Sequence, residues 1–155
     1  MHPYLLKQYN HRWFLLGQCA DLRQLQNFAL DRILGERIER LPTQDFWPNQ
    51  LLDPATYFNE VIGASVPPPD QQVQQVRLRF TAERAPYVVT KPLHPSQSEA
   101  IVTAGGPEVC LQVRLNRELT SLLLGFGADV EVLAPEALRE NLRQVVQQMM
   151  RQYVV

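Results

Sequence analysis

Apolar and polar side chains alternate with a period of two at several places in the chain, the signature of a half-buried strand. Val76, Leu78 and Phe80 alternate with Arg77 and Arg79, and Val109, Leu111, Val113 and Leu115 with Cys110, Gln112 and Arg114. Nearer the start, Tyr4-Leu5-Leu6-Lys7-Gln8-Tyr9 and Arg12-Trp13-Phe14-Leu15-Leu16-Gly17 are β-favouring runs on either side of Asn10-His11. They predict a hairpin with a two-residue turn, because Asn tolerates the positive φ that such a turn needs. Residues 26–33 read as a third strand, with Phe28, Leu30 and Arg32 on one face and Ala29, Asp31 and Ile33 on the other, or else as a short helix.

Helical spacing appears elsewhere. Over residues 53–63, Asp53 is an N-cap, Pro54 suits the first helical position and Gly63 suits a left-handed stop, while Tyr57, Phe58, Val61 and Ile62 form an apolar stripe. A short helix is expected at residues 81–87 and a strand around 99–103, closed by the turn Gly105-Gly106-Pro107. Asn116 caps a helix whose Leu119, Leu122, Leu123 and Phe126 share a face, with Gly127 beyond its end. Residues 129–133 read as a strand. Pro135 opens a last helix with the stripe Leu138, Leu142, Val145, Met149 and Tyr153, where Glu136/Arg139 and Glu140/Arg143 can pair at i,i+3. From Val76 onward the order is strand, helix, strand, strand, helix, strand and terminal helix, the ferredoxin-like or split βαβ sequence of elements.

Charge divides the chain where the pattern does. Residues 1–40 have six basic side chains against four acidic, whereas residues 41–71 have no Lys or Arg and include Asp45, Asp53, Glu60 and Asp70. That acidic stretch ends in Val66-Pro67-Pro68-Pro69-Asp70-Gln71-Gln72, and consecutive prolines favour an extended, semi-rigid connector. Two modules follow, residues 1–66 and 73–155, joined by residues 67–72. A chain of 155 residues with 45% hydrophobic and 20% charged side chains buries enough surface to need neither disulfides nor metal. Its net charge of −1 argues against a general polyanion binder, though not against a local basic pocket. Cys19 and Cys110 are too few for a disulfide framework and fit a reducing cytoplasm. No apolar run reaches the roughly 20 residues of a membrane span, and the first residues lack the pattern of a signal peptide.

The residues offer little for catalysis. Cys19, Cys110, His94 and His11 are the conspicuous candidates for nucleophile or base, and none sits in a catalytic motif. Small buried side chains explain both cysteines. There is no CxxC, HExxH or phosphate-binding glycine loop, so no metal, cofactor or catalytic residue is expected. The loop Lys91-Pro92-Leu93-His94-Pro95-Ser96-Gln97-Ser98 is either a rigid connector or a place where His94 meets a ligand. Arg77, Arg79, Gln112 and Arg114 make a polar sheet face without the aromatics of an RNA-binding sheet, which favours a solvated or subunit-contact face. Arg12-Trp13-Phe14-Leu15, with Lys7, Tyr9, Arg23 and Arg32, mixes cations and aromatics as a single-stranded nucleic-acid site does. In that set Trp13 and Leu15 are expected in the core and Phe14 on the opposite face. Arg32 is either free for a ligand or locked to Asp31.

Pro3-Tyr4-Leu5-Leu6, Arg12-Trp13-Phe14-Leu15 and Phe28-Ala29-Leu30-Asp31-Arg32-Ile33 together resemble the WYL-domain proteins, bacterial transcriptional regulators named for a Trp-Tyr-Leu triplet, here Trp13-Phe14-Leu15. The second module resembles the extension domain that follows WYL in them, through Tyr57-Phe58 to Ile62-Gly63, residues 91–97, Asn116-Arg117-Glu118-Leu119 and Gly125-Phe126-Gly127. The resemblance implies an α+β chain: a partial Sm-like small β-barrel, then a ferredoxin-like extension that takes part in subunit contacts. It implies a noncatalytic sensor whose barrel answers to a ligand, single-stranded nucleic acid in some members, and controls a DNA-binding domain that lies outside this chain. Two positions depart from the family: Phe14 stands for the Tyr of the triplet, and Gln26 stands where an Arg is frequent.

Three functional readings follow. In the first, a ligand-sensing and oligomerisation portion of a regulator meets single-stranded nucleic acid or a nucleotide-like effector through Lys7, Arg12, Phe14, Arg23 and Arg32. In the second, which Phe14 and Gln26 favour, the chain is a structural dimerisation fragment. In the third, the second module binds a small effector near His94. An incomplete barrel leaves strand edges that favour pairing with another chain, so self-association is expected.

Overall fold

The computed structural model describes residues 1–19, 24–35, 39–40 and 42–153. The chain is α+β and divides into two units, Met1–Phe58 and Asn59–Val155.

In the first unit β1 (His2–Tyr9), β2 (Arg12–Gln18) and β3 (Leu25–Ala29) form an antiparallel sheet in the order β1-β2-β3. Asn10 and His11 connect β1 to β2 with φ of 47° and 62°, the two left-handed residues of a two-residue hairpin turn. Gly17 allows the strands to close, because a Cβ there would lie 2.4 Å from the carbonyl oxygen of His2. The third strand is shorter than its alternation suggests. It stops at Ala29, and Leu30–Arg32 turn in a 3₁₀ coil, so Leu30 and Arg32 do not continue the face of Phe28.

The segment beginning at Asp53 is a series of turns instead of the expected helix. Asp53 does cap it, accepting from the Ala55 N–H at 3.0 Å and the Thr56 hydroxyl at 2.9 Å. The later carbonyls are taken by tertiary partners: that of Glu60 accepts from the Arg114 N–H and that of Ile62 from the Asn116 side chain. A carbonyl so engaged does not close the next helical turn.

In the second unit β4 (Gln74–Phe80), β5 (Ile101–Thr103), β6 (Gly106–Val113) and β7 (Val130–Ala134) form a fully antiparallel sheet in the order β5-β6-β4-β7. Three helices accompany it: α1 (Ala85–Thr90), α2 (Arg117–Leu124) and α3 (Glu136–Tyr153). The first begins four residues later than the hydrophobic pattern suggests. Pro86 explains this, since a proline fits the first turn of a helix and would remove a hydrogen bond from its interior. Asn116 caps α2, its Oδ1 accepting from the Leu119 N–H at 2.8 Å.

The core is the alternating set read from the sequence. Val76, Leu78 and Phe80 of β4 meet Val109, Leu111 and Val113 of β6, and Leu119, Leu123 and Leu138 close over them from the helices. The outer face carries Arg77 and Arg79, and it is not an open basic surface. Glu108 binds Arg79 at 2.8 Å and Arg77 at 3.3 Å, and Glu131 takes a second bond from Arg79 at 3.1 Å. Arg114 pairs with Glu60 at 2.7 Å. In α3 the Glu140/Arg143 pair forms at 2.7 Å, whereas Arg139 turns to Glu131 at 3.8 Å and not to Glu136. The α3 stripe is buried only at its start: Leu138 is enclosed, while Met149 and Tyr153 stand exposed.

Candidate ligand-binding site

Cross-strand register sorts the predicted site residues. Lys7 lies opposite Phe14, Tyr9 opposite Arg12, and Phe14 opposite Ala29. Directly opposed residues point to the same side of a sheet, so Lys7, Arg12 and Phe14 share a face with Leu16, which is fully buried. The other face holds Leu6, Trp13, Leu15 and Phe28. Here the expectation of a core tryptophan fails. Trp13 is 47% exposed and Leu6 54% exposed, while Leu15 and Phe28 are half-buried, so this face is only partly covered.

Each cation has a definite setting. The Lys7 ammonium stands 4.6 Å from the centre of the Phe58 ring, a cation–π contact, and Tyr57 packs edge-on against the same ring at 5.0 Å. Arg12 Nε binds Asp31 Oδ2 at 3.0 Å, so the carboxylate beside Arg32 in sequence is taken by a different arginine. Arg32 is exposed, and among the described residues no carboxylate pairs with it. Arg23 lies outside the described residues. The hairpin therefore gathers Lys7, Arg12 and Phe14 on one face and leaves Arg32 in solvent at the end of the 3₁₀ turn.

His94 is a structural residue. It is buried, and Nδ1 accepts from the Ser96 N–H at 3.1 Å with the Ser96 hydroxyl oxygen 2.7 Å away. Acceptance at Nδ1 places the proton of the neutral ring on Nε2. Burial lowers its pKa below the usual histidine value, against a smaller upward pull from Asn59. Burial and the Ser96 contacts at Nδ1 give this histidine a role in holding the loop. The loop's serines have a backbone role: Ser98 and Ser96 pair with the main chain of Cys110 and Gln112, continuing the edge of the sheet beside β6.

Two groups escaped the sequence reading. Phe46 and Trp47 pack on β1, where the Trp47 ring stacks on His2 at 4.4 Å and its backbone N–H donates to His2 Nδ1 at 3.0 Å. Adjacent aromatics in a stretch without Lys or Arg were the available signal. The second group lines a cleft between α2 and α3, where only Asn116 and Arg117 belong to a motif the sequence marked. Cys19 and Cys110 are free thiols, only half-buried. Among the described residues no cluster of His, Cys, Asp and Glu is arranged to hold a metal, and no helix is long and apolar enough to cross a membrane.

Comparison with known proteins assigns both parts of the chain. The family model for the WYL domain matches residues 1–38, and that for the WCX domain matches residues 72–150. Among curated proteins none matches. Among solved structures the chain is similar to proteasome accessory factor B/C (PafBC) of Arthrobacter aurescens, with 21% identity and a TM-score of 0.38 over 90% of this chain. The match covers 20% of the PafBC chain, so this sequence spans about a fifth of that protein's length.

Proposed function

Since the chain belongs to the family of WYL-domain regulators and carries a WCX domain as its second part, we propose that it is the noncatalytic sensing and self-associating portion of a cytoplasmic transcriptional regulator. Residues 1–66 are read as part of an Sm-like barrel and residues 73–155 as a ferredoxin-like extension, with 67–72 between them. The strand order β5-β6-β4-β7 with every neighbour antiparallel supports the second of these. The ligand class is single-stranded nucleic acid or a nucleotide-like effector. One observation carries that choice: Phe14 lies opposite Lys7 and two residues along β2 from Arg12 on one sheet face, and Arg32 is exposed. A ring to stack a base and cations to meet phosphates are the two elements of such recognition.

A second reading, a structural dimerisation fragment, has its own support. Lys7 is occupied by Phe58 and Arg12 by Asp31, while the side of Leu6 and Trp13 is only partly covered. Titration of labelled single-stranded DNA and RNA by fluorescence anisotropy at several salt concentrations separates the two. The sensor reading expects saturable binding that weakens with salt and is lost in Arg32→Ala. No binding by a folded sample would leave the dimerisation reading.

A further inference from the structure

A cavity of about 610 Å³ lies between α2 and the first half of α3, wholly within the second unit. Its volume falls within the roughly 300–1,000 Å³ of small-molecule sites. The gap has a cause in side-chain size. Where two helices pack, their separation is set by the residues at the contact, and here Thr120, Ser121, Ala137 and Asn141 supply small side chains where leucines would fill the space. The hydrogen bond across the gap, between Thr120 Oγ1 and Asn141, spans 3.5 Å, the outer limit for such a contact. The two helices are therefore not sealed against each other by polar pairing.

The lining points to a ligand of one kind. Arg117 is the only charged side chain in it, and no carboxylate lines the cavity. Among the described residues none pairs with Arg117. The Ser121 hydroxyl and the Asn141 amide add neutral donors, Thr120 already gives its proton to the Asn116 carbonyl, and Leu124 and Val145 supply an apolar wall. We propose that this cavity binds a small organic monocarboxylate, its carboxylate on Arg117 with the Ser121 hydroxyl and Asn141 amide beside it and its aliphatic body against Leu124 and Val145. A single arginine matches a single negative charge, whereas a phosphate dianion would call for more. A guanidinium also offers paired donors to the two oxygens of a carboxylate. The site is separate from the hairpin face and stands whether or not that face binds nucleic acid.

Titration of the whole, ¹⁵N-labelled chain with sodium hexanoate tests the proposal through amide spectra, with hexylamine and inorganic phosphate as the other arms. Saturable shifts centred on Thr120, Ser121 and Asn141 are expected with hexanoate, at least tenfold weaker in Arg117→Gln. Arg117 is exposed, so that variant should keep the parent spectrum elsewhere. Ser121→Leu, which narrows the cavity and removes one hydroxyl without touching the cation, should weaken the shifts as well. Equal response to hexylamine, equal response to phosphate, shifts centred elsewhere, or affinity unchanged in both variants would each overturn it.

Discussion

Both units lay an alternating sequence into an antiparallel sheet, yet their interiors differ. In Asn59–Val155 the alternate residues of β4 and β6 go inward against the helices, and the buried cluster runs from Ile62 to Leu138. In Met1–Phe58 the buried apolar side chain among the described residues is Leu16, and the face of Leu6, Trp13, Leu15 and Phe28 is only partly covered. A sheet needs a second layer to bury its apolar face. The comparison separates roles: the second unit holds itself together, while the first presents surface, both the cation-bearing side and the partly covered apolar side. A unit with little buried core opens locally at low free-energy cost, so it is easily biased by whatever binds it.

Matched truncations in the two sheets would break that comparison most directly. Leu111→Ala removes a fully buried side chain from the centre of β6, and should destabilise the second unit by about 2–5 kcal/mol in urea unfolding. Leu6→Ala removes a side chain that already faces solvent over half its area, and should cost less than about 1 kcal/mol, since little apolar surface returns to water. Equal costs would mean that the open face of β1 and β2 is covered in solution, and light scattering on both variants would then reveal the partner copy.

Acid should weaken the second unit. The His94 pKa is lowered in the folded chain because the ring is buried, so below the ordinary histidine value near 6.5 the unfolded chain binds a proton that the folded chain resists. The stabilisation is complete above about pH 6.5 and declines as pH falls toward the folded-state value. Glu108, held below the usual carboxylate range chiefly by its hydrogen bond from Arg79, adds its own loss at lower pH, in the carboxylate range. Urea midpoints between pH 7.5 and 5.5 should fall for the native chain and stay flatter for His94→Gln. The same slope in both would assign the effect to another group.

Legibility of the sequence followed the same division. The strands of the second unit, the Asn116 cap and the hairpin turn at Asn10-His11 could be read because burial, capping and positive φ each leave a local pattern. Two readings failed, and one left open was decided, where structure distant in sequence set the outcome. The turn series after Asp53 gives its carbonyls to Arg114 and Asn116, Asp31 is taken by Arg12 across the sheet, and Trp13 lacks the full cover that a tryptophan in a strand usually has. The α2–α3 cavity was invisible for another reason: it comes from small side chains that no local rule marks as binding residues. Composition and periodicity likewise give no account of why Phe46 and Trp47 fold back onto His2.

The smallest effect on stability is the one that best tests what the first unit is for. Arg12 and Asp31 form an exposed pair, with 45% and 51% of their side chains accessible, and such pairs contribute only about 0–1 kcal/mol. Asp31→Ala should therefore shift the melting temperature of the chain very little. Its effect on binding should be larger, because the substitution removes a negative charge beside Arg32 and frees Arg12 on the face that holds Phe14 and Lys7. If that face meets the backbone of a single strand, affinity should rise and the dependence on salt steepen by about one released counterion per phosphate newly met. Arg12→Ala, made alongside, should cost as little stability and lower the affinity. If neither variant changes binding while both remain folded, the pair is only a surface contact and the cations of the hairpin are not the recognition surface.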